Sequence, residues 1–192
     1  MYDVIRSERL EAALACFDAA LRSIAWDAAE HSYDLARAAE FRNSVTRRIR
    51  ANPGSRGIRQ ARLVAELADG RAQLPGESIS RLWMLQLGLP APELQFEVDL
   101  SDGTYAYLDF AWPEFGVWGE FDGQVKYSDP AMLNGRTADE VREAQRERSR
   151  AIARVTGWTE VRWGFEQMPD HSAFADHLRE NGLLLLRARG RR

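Results

Sequence analysis

Cysteine and lysine are almost missing from this chain: of its 192 residues, Cys16 is the single cysteine and Lys126 the single lysine. One cysteine excludes a disulfide framework and a thiolate zinc site. Its place in Ala13-Leu-Ala-Cys-Phe17 predicts a small, buried helix residue. Histidine is scarce too, and His31, His171 and His177 stand at no metal-ligating spacing, so they read as surface residues. No apolar run approaches the ~20 residues that span a bilayer. The first residues also lack the basic-then-apolar order of a signal peptide. The expectation is a cytoplasmic protein with no membrane partner.

The net charge of −3 argues against indiscriminate binding to polyanions, yet the charge is unevenly spread. Residues 41–65 contain arginines, among them Arg47, Arg48 and Arg56, and no acid. Lysine offers a compact ammonium whose pKa can be tuned, whereas guanidinium is planar and permanently charged. A lone lysine among arginines therefore singles out position 126.

Along the chain, Leu10, Leu14, Phe17, Leu21 and Ile24 recur at helical spacing, with Ser7 as the expected N-cap. Further helices are expected over residues 32–42, 44–50 with Ser44 as cap, and 57–67. This basic cluster is either a degenerate helix-turn-helix or, as the lack of a base-reading helix favours, a helical cap with a solvated arginine face. Asp69-Gly-Arg-Ala-Gln-Leu-Pro-Gly76 is loop-like and divides a helical N-terminal region, 1–70, from a second domain, 71–192.

The second domain opens with a helix over residues 77–87, followed by strands at 93–100, 105–110 and 117–121. Thr137 and Glu140 form a capping box that starts a charged helix to residue 156, carrying Arg146 among other arginines. A strand over 158–163 follows that crossover, so it can lie parallel to an earlier strand. A helix over 171–186 and a short basic tail close the chain.

The most informative stretch is residues 105–126. Strand alternation places Tyr105, Tyr107 and Asp109 on one face and Ala106, Leu108 and Phe110 on the other. The turn Trp112-Pro-Glu-Phe-Gly116 folds the next strand back, which brings Asp109 beside Glu120, with Asp122 further along. Trp112 and Trp118 read as packing aromatics. Like charges this close repel unless a cation lies between them, and a divalent metal suits an all-oxygen site.

Pro75-Gly-Glu-Ser78, Leu108-Asp-Phe-Ala-Trp-Pro-Glu114, Gly119-Glu-Phe-Asp-Gly-Gln-Val-Lys126 and Gly157-Trp-Thr-Glu-Val-Arg-Trp163 occur in this order. Together they resemble a family of actinobacterial uncharacterised proteins with restriction-endonuclease-like domains, across residues 59–168. That family is related to very-short-patch-repair endonucleases and to the C-terminal domain of abortive-infection antitoxins. The resemblance implies an α/β fold of the PD-(D/E)XK type, an α/β/α sandwich on a mixed four- to five-stranded sheet. It further implies a metal-dependent DNA endonuclease in which Asp109 and Glu120 ligate Mg²⁺ or Mn²⁺ and Glu77 joins them. Lys126 would orient the attacking water or stabilise the transition state. In the general motif a lysine stands two residues after the second acid; here that place is Asp122, itself a candidate ligand.

Arg47, Arg48, Arg56 and Arg146 are the candidate nucleic-acid contacts, and a homodimer stays open. Two other readings stand beside the nuclease. One is a catalytically silent nuclease-fold module that binds DNA or regulates, as antitoxins do. The other is an interaction scaffold, favoured if the acids are paired with arginines; Arg81, one turn after Glu77, is the expected partner there.

Overall fold

The computed structural model describes residues 1–123 and 137–185. The chain is mixed α/β, with seven α-helices and a mixed four-stranded sheet among the described residues. It divides into two compact units, Met1–Leu82 and Trp83–Arg192. The division falls after Leu82, inside α5 (Pro75–Gln86), and not at residue 70 in the loop expected to mark it. No helix among the described residues is long and apolar enough to cross a membrane.

The first unit is helical. Helix α1 (Tyr2–Ser7) precedes α2 (Leu10–Ala25), so Ser7 ends one helix instead of capping the next. Its hydroxyl donates to the Asp3 carbonyl at 2.9 Å and is spent within α1. On α2, Ala13, Leu14, Phe17 and Leu21 form the buried stripe. Cys16 falls on the other side and is exposed, contrary to the sequence expectation. A two-residue hairpin, β1 (Trp26–Asp27) with β2 (Ser32–Tyr33), leads to α3 (Leu35–Ala51).

In place of the two short helices that the sequence suggests, α3 runs unbroken. Asp34 is the N-cap, its carboxylate accepting from the Ala36 and Arg37 N–H groups at 2.9 and 3.0 Å. The Ser44 hydroxyl donates back to the Phe41 carbonyl at 2.7 Å, a bond compatible with the helix interior. Helix α4 (Ile58–Leu67) starts after Gly57. Its φ of 76°, and the Arg6 carbonyl lying where a Cβ would stand, admit glycine alone.

Beneath these helices lies a buried ion pair. Asp18, in the apolar stripe of α2, accepts from Arg81 Nη2 at 2.8 Å and from the Asp69 N–H at 2.7 Å. Burial pushes the Asp18 carboxyl above its ordinary range, with Arg81 opposing the shift. Removing either partner would strand a charge in the core.

The second unit is built on the sheet β3 (Glu93–Asp99), β4 (Tyr105–Trp112), β5 (Val117–Phe121) and β6 (Thr159–Trp163), in that order. The first three strands are antiparallel neighbours and β6 is parallel to β5. A 3-10 turn, Pro113–Phe115, joins β4 to β5. Helix α6 (Ala138–Thr156) makes the crossover to β6 and starts with the expected capping box, Thr137 and Glu140 each bonding the other's backbone. Helix α7 (His171–Glu180) follows and ends at Asn181, short of the expected residue 186.

Both helices add apolar side chains to the sheet. Ile152 of α6 joins Trp118, Leu108 and Ala111, all nearly inaccessible. Phe174 of α7 packs on Trp163, which in turn packs on Phe110 with ring centroids 5.3 Å apart. Gly119 makes this possible, because a Cβ there would run into the Trp163 ring.

Candidate functional site

The ladder between β4 and β5 is short. It pairs Trp112 with Val117, Ala111 with Trp118 and Phe110 with Gly119, and stops there. Continued by one rung, that register sets Asp109 opposite Glu120, as the alternation of the sequence predicts. Where backbone pairing ends, charged side chains take over. Asp109 Oδ2 accepts the Phe121 N–H at 2.9 Å, and Arg148 Nη2 donates to the Tyr107 carbonyl at 2.5 Å. Strand ends that would otherwise leave buried polar groups unsatisfied thus hold the acids in place.

Glu120 is 6% exposed. Burial first, and the charge of Asp109 second, push its carboxyl up from 4.5 to about 7, although Arg148 and Arg162 pull the other way. Arg148 reaches in from α6 and donates Nη1–H to Glu120 Oε1 at 2.9 Å. A buried carboxyl pushed up by a second acid beside it is an arrangement that a shared proton or a hard cation relieves.

Asp122 follows at the end of β5, its N–H donating to the Trp163 carbonyl at 2.8 Å. Its carboxylate accepts from Arg162 Nη1 at 2.8 Å and lies 3.4 Å from Gln145 Nε2. Arg162 stands opposite Glu120 on β6 and also donates Nε–H to Glu160 at 2.5 Å. Burial works against its charge, but Glu160, Asp122 and Glu120 outweigh that and raise its pKa. Ser149 completes the group with a 3.0 Å bond to Glu160.

Gln95 is the least expected member. It lies on β3 across from Asp109, where the β3–β4 pairing skips a rung between Leu94↔Phe110 and Phe96↔Leu108. Its φ is 52°, a left-handed backbone that a non-glycine side chain adopts at a cost of order 1–3 kcal/mol. The bend leaves Gln95 Nε2 3.4 Å from Asp109 Oδ1. Strain at a candidate site is held by its surroundings, and here the amide is turned toward an acid.

Of the residues singled out by sequence, Asp109 and Glu120 therefore come together in the second unit, whereas Asp122 is engaged by Arg162 and is not gathered with them. Lys126 lies outside the described residues. Glu77 belongs to the first unit, where it is buried, accepts from the Gln73 N–H at 2.7 Å and has Arg22 as an electrostatic neighbour. Arg81 pairs with Asp18 instead of with Glu77. Arg47 and Arg56 are exposed in the first unit. Arg48, exposed as well, lies 3.7 Å from Asp3 and over the Tyr2 ring. In the second unit Arg146 is exposed and pairs with Glu143 at 3.0 Å.

Three functional candidates escape a reading of the sequence: Arg148, Arg162 and Gln95. Arg148 looks there like any of several solvated helix arginines, and no local signal separates it from its neighbours. Among the histidines, His177 is half-buried and its Nε2 lies 2.9 Å from the Arg162 carbonyl, so it supports β6 instead of sitting on the surface. Trp112 and Trp118 are buried, as expected of packing residues. Among the described residues no group of three or more His, Cys, Asp or Glu side chains is gathered to hold a metal ion.

No protein-family model matches the chain. No solved structure matches it either. Two relatives from Mycobacterium tuberculosis are similar to it, the uncharacterized protein MT2308 of strain CDC 1551 / Oshkosh and the uncharacterized protein Rv2248 of strain H37Rv. Each is 37% identical over 136 residues, which is 70% of this chain and 45% of the relative. The chain thus spans less than half the length of the curated relatives it matches.

Proposed function

We propose that the second unit is a PD-(D/E)XK-type, restriction-endonuclease-like domain, an α/β/α sandwich, and that it hydrolyses phosphodiester bonds of DNA with Mg²⁺ or Mn²⁺. The observation that carries this reading is the meeting of Asp109 and Glu120 at the end of the β4–β5 ladder, with Glu120 raised to about 7 by burial and by its neighbour. Both are hard oxygen donors, and a divalent cation between them would remove the repulsion, so the donor set fits magnesium better than a soft metal.

Asp109 and Glu120 would hold the ion, with Asp122 the next acid along the strand; Glu77 and Lys126 are the other residues that the family resemblance implies. A bound divalent ion supplies charge neutralisation at a scissile phosphate and a more acidic water. The chain's own contribution is orientation. The Phe121 N–H and Gln95 fix the Asp109 carboxylate, Arg148 fixes Glu120, and Arg162 holds Asp122.

The test is cleavage of supercoiled plasmid in Mg²⁺, with metal binding measured in parallel by calorimetry. Wild-type protein should nick or linearise the DNA, and Asp109→Ala and Glu120→Ala should abolish both cleavage and the metal-binding heat. A wild-type protein that neither cuts nor binds metal overturns the reading.

One observation favours a second, non-catalytic reading, either the interaction scaffold expected where the acids are paired with arginines or a catalytically silent DNA-binding or regulatory module. Arg148 and Arg162 already pair with Glu120 and Asp122 at 2.9 and 2.8 Å, so the acids have internal counter-ions. A silent module binds DNA in a salt-sensitive manner without cutting it, and the two alanine variants bind equally well, whereas a scaffold neither cuts nor binds DNA.

A further inference from the structure

Helix α6 carries arginines at positions 142, 146, 150 and 154, all exposed. Steps of four residues advance ~6 Å along a helix and turn the position by about 40°, so the four form one stripe that winds slowly around α6. Two cavities open along it. One, of about 420 Å³, is lined by Arg142, Arg146, Arg150 and Arg162 with Asp122 and Glu160, four cations against two carboxylates. The other, of about 610 Å³, is lined by Arg148, Arg150 and Arg154 with Asp102 and Glu147, three cations against two carboxylates, and takes in Tyr105, which is 63% exposed.

We propose that this stripe is a track for one strand of DNA, running past Asp122 and Arg162 toward the acids of the sheet. It rests on the reading of DNA as the ligand and assigns the face that holds it. A row of guanidinium groups follows a row of phosphates, which carry one charge per ~3.4 Å of axis on each strand. Guanidinium also offers phosphate a two-pronged donor. Tyr105 beside the far end gives an aromatic face on which a base can stack.

The stripe's present partners are weak competitors. Arg142 pairs with Asp139 at 2.9 Å, and Glu143 serves both Arg146 at 3.0 Å and Arg150 at 3.6 Å. These are exposed surface pairs, the kind that contributes little and exchanges readily. Glu143 therefore opposes the entry of a phosphate by occupying two of the track's arginines.

The experiment measures binding of a fluorescent duplex oligonucleotide by anisotropy in EDTA, across a range of salt, so that binding is read without cleavage. The triple variant Arg142→Gln/Arg146→Gln/Arg150→Gln should bind at least about tenfold more weakly at 0.1 M salt. Its log–log salt slope should be shallower by about 2 to 3, since each phosphate that the protein neutralises adds roughly 0.9 to the slope. Glu143→Gln should bind more tightly than wild type, and more tightly than Glu93→Gln, which changes net charge equally at an exposed position on β3.

A triple variant with unchanged affinity and slope overturns the track, as does a Glu143→Gln variant no tighter than Glu93→Gln, or a wild-type protein that does not bind. Plasmid cleavage in Mg²⁺ by a triple variant of unchanged affinity would leave the nuclease reading standing without the track. Binding along the stripe by a protein that never cuts would do the reverse.

Discussion

Arg148 on α6 and Glu120 on β5 are 28 residues apart and meet at 2.9 Å, with the Glu120 side chain 8% exposed and the Arg148 side chain 33% exposed. The pair closes the gap where β4 and β5 part, since the same guanidinium also takes the Tyr107 carbonyl.

Removing one partner of so buried a pair leaves the other uncompensated. At pH 8, where Glu120 is ionised, Arg148→Met should therefore lower the stability of the second unit by about 3–5 kcal/mol, and Glu120→Gln should cost less because the guanidinium it leaves behind is a third exposed and keeps water around its charge. In a double-mutant cycle by urea denaturation, the double variant should be much less destabilised than the sum of the singles. Additive losses would show that the two side chains do not depend on each other.

The raised Glu120 carboxyl also makes stability depend on pH. With a folded pKa of about 7 against 4.5 in the ordinary state, the folded protein holds a proton that the unfolded chain has released between those values. Stability from this group is thus fully present below pH 4.5 and is lost as pH rises through 7, by an amount of order 3 kcal/mol. Urea midpoints at pH 5 and pH 8 should differ accordingly in wild type, and the difference should shrink in Glu120→Gln.

Gly119 tolerates no side chain as the sheet stands, because Trp163 covers it. Gly119→Ala should force the ring aside and cost about 1–3 kcal/mol, seen as a lower Tm together with an altered near-UV circular dichroism of the tryptophans. An unchanged Tm would mean that the Trp163 ring has room to move.

What is legible in the sequence is local or periodic. Alternation in Tyr105–Trp112 and the turn after it are enough to set Asp109 beside Glu120, and the Thr137 and Glu140 spacing announces α6. That the strand after the crossover can lie parallel to an earlier one is legible too, but its pairing with β5 comes from the fold. The arginines that complete the site are not legible, because Arg148 and Arg162 meet their acids only through tertiary packing and resemble every other arginine in a chain rich in them. The continuity of α3 is hidden for a different reason: a serine inside a helix can bond backward as readily as cap forward, and residue type alone does not choose.

The bend at Gln95 has an effect on how copies of the chain meet. Among the described residues strand β3 ends the sheet, and an end strand with an intact row of backbone donors and acceptors is a template for another strand. The left-handed residue breaks its seven residues into two shorter runs, and Glu93, Glu97 and Asp99 stand exposed along it. Two such edges brought together would repel and could not pair over their full length. The same kink that turns an amide toward Asp109 guards the sheet against growing, strand by strand, into an aggregate.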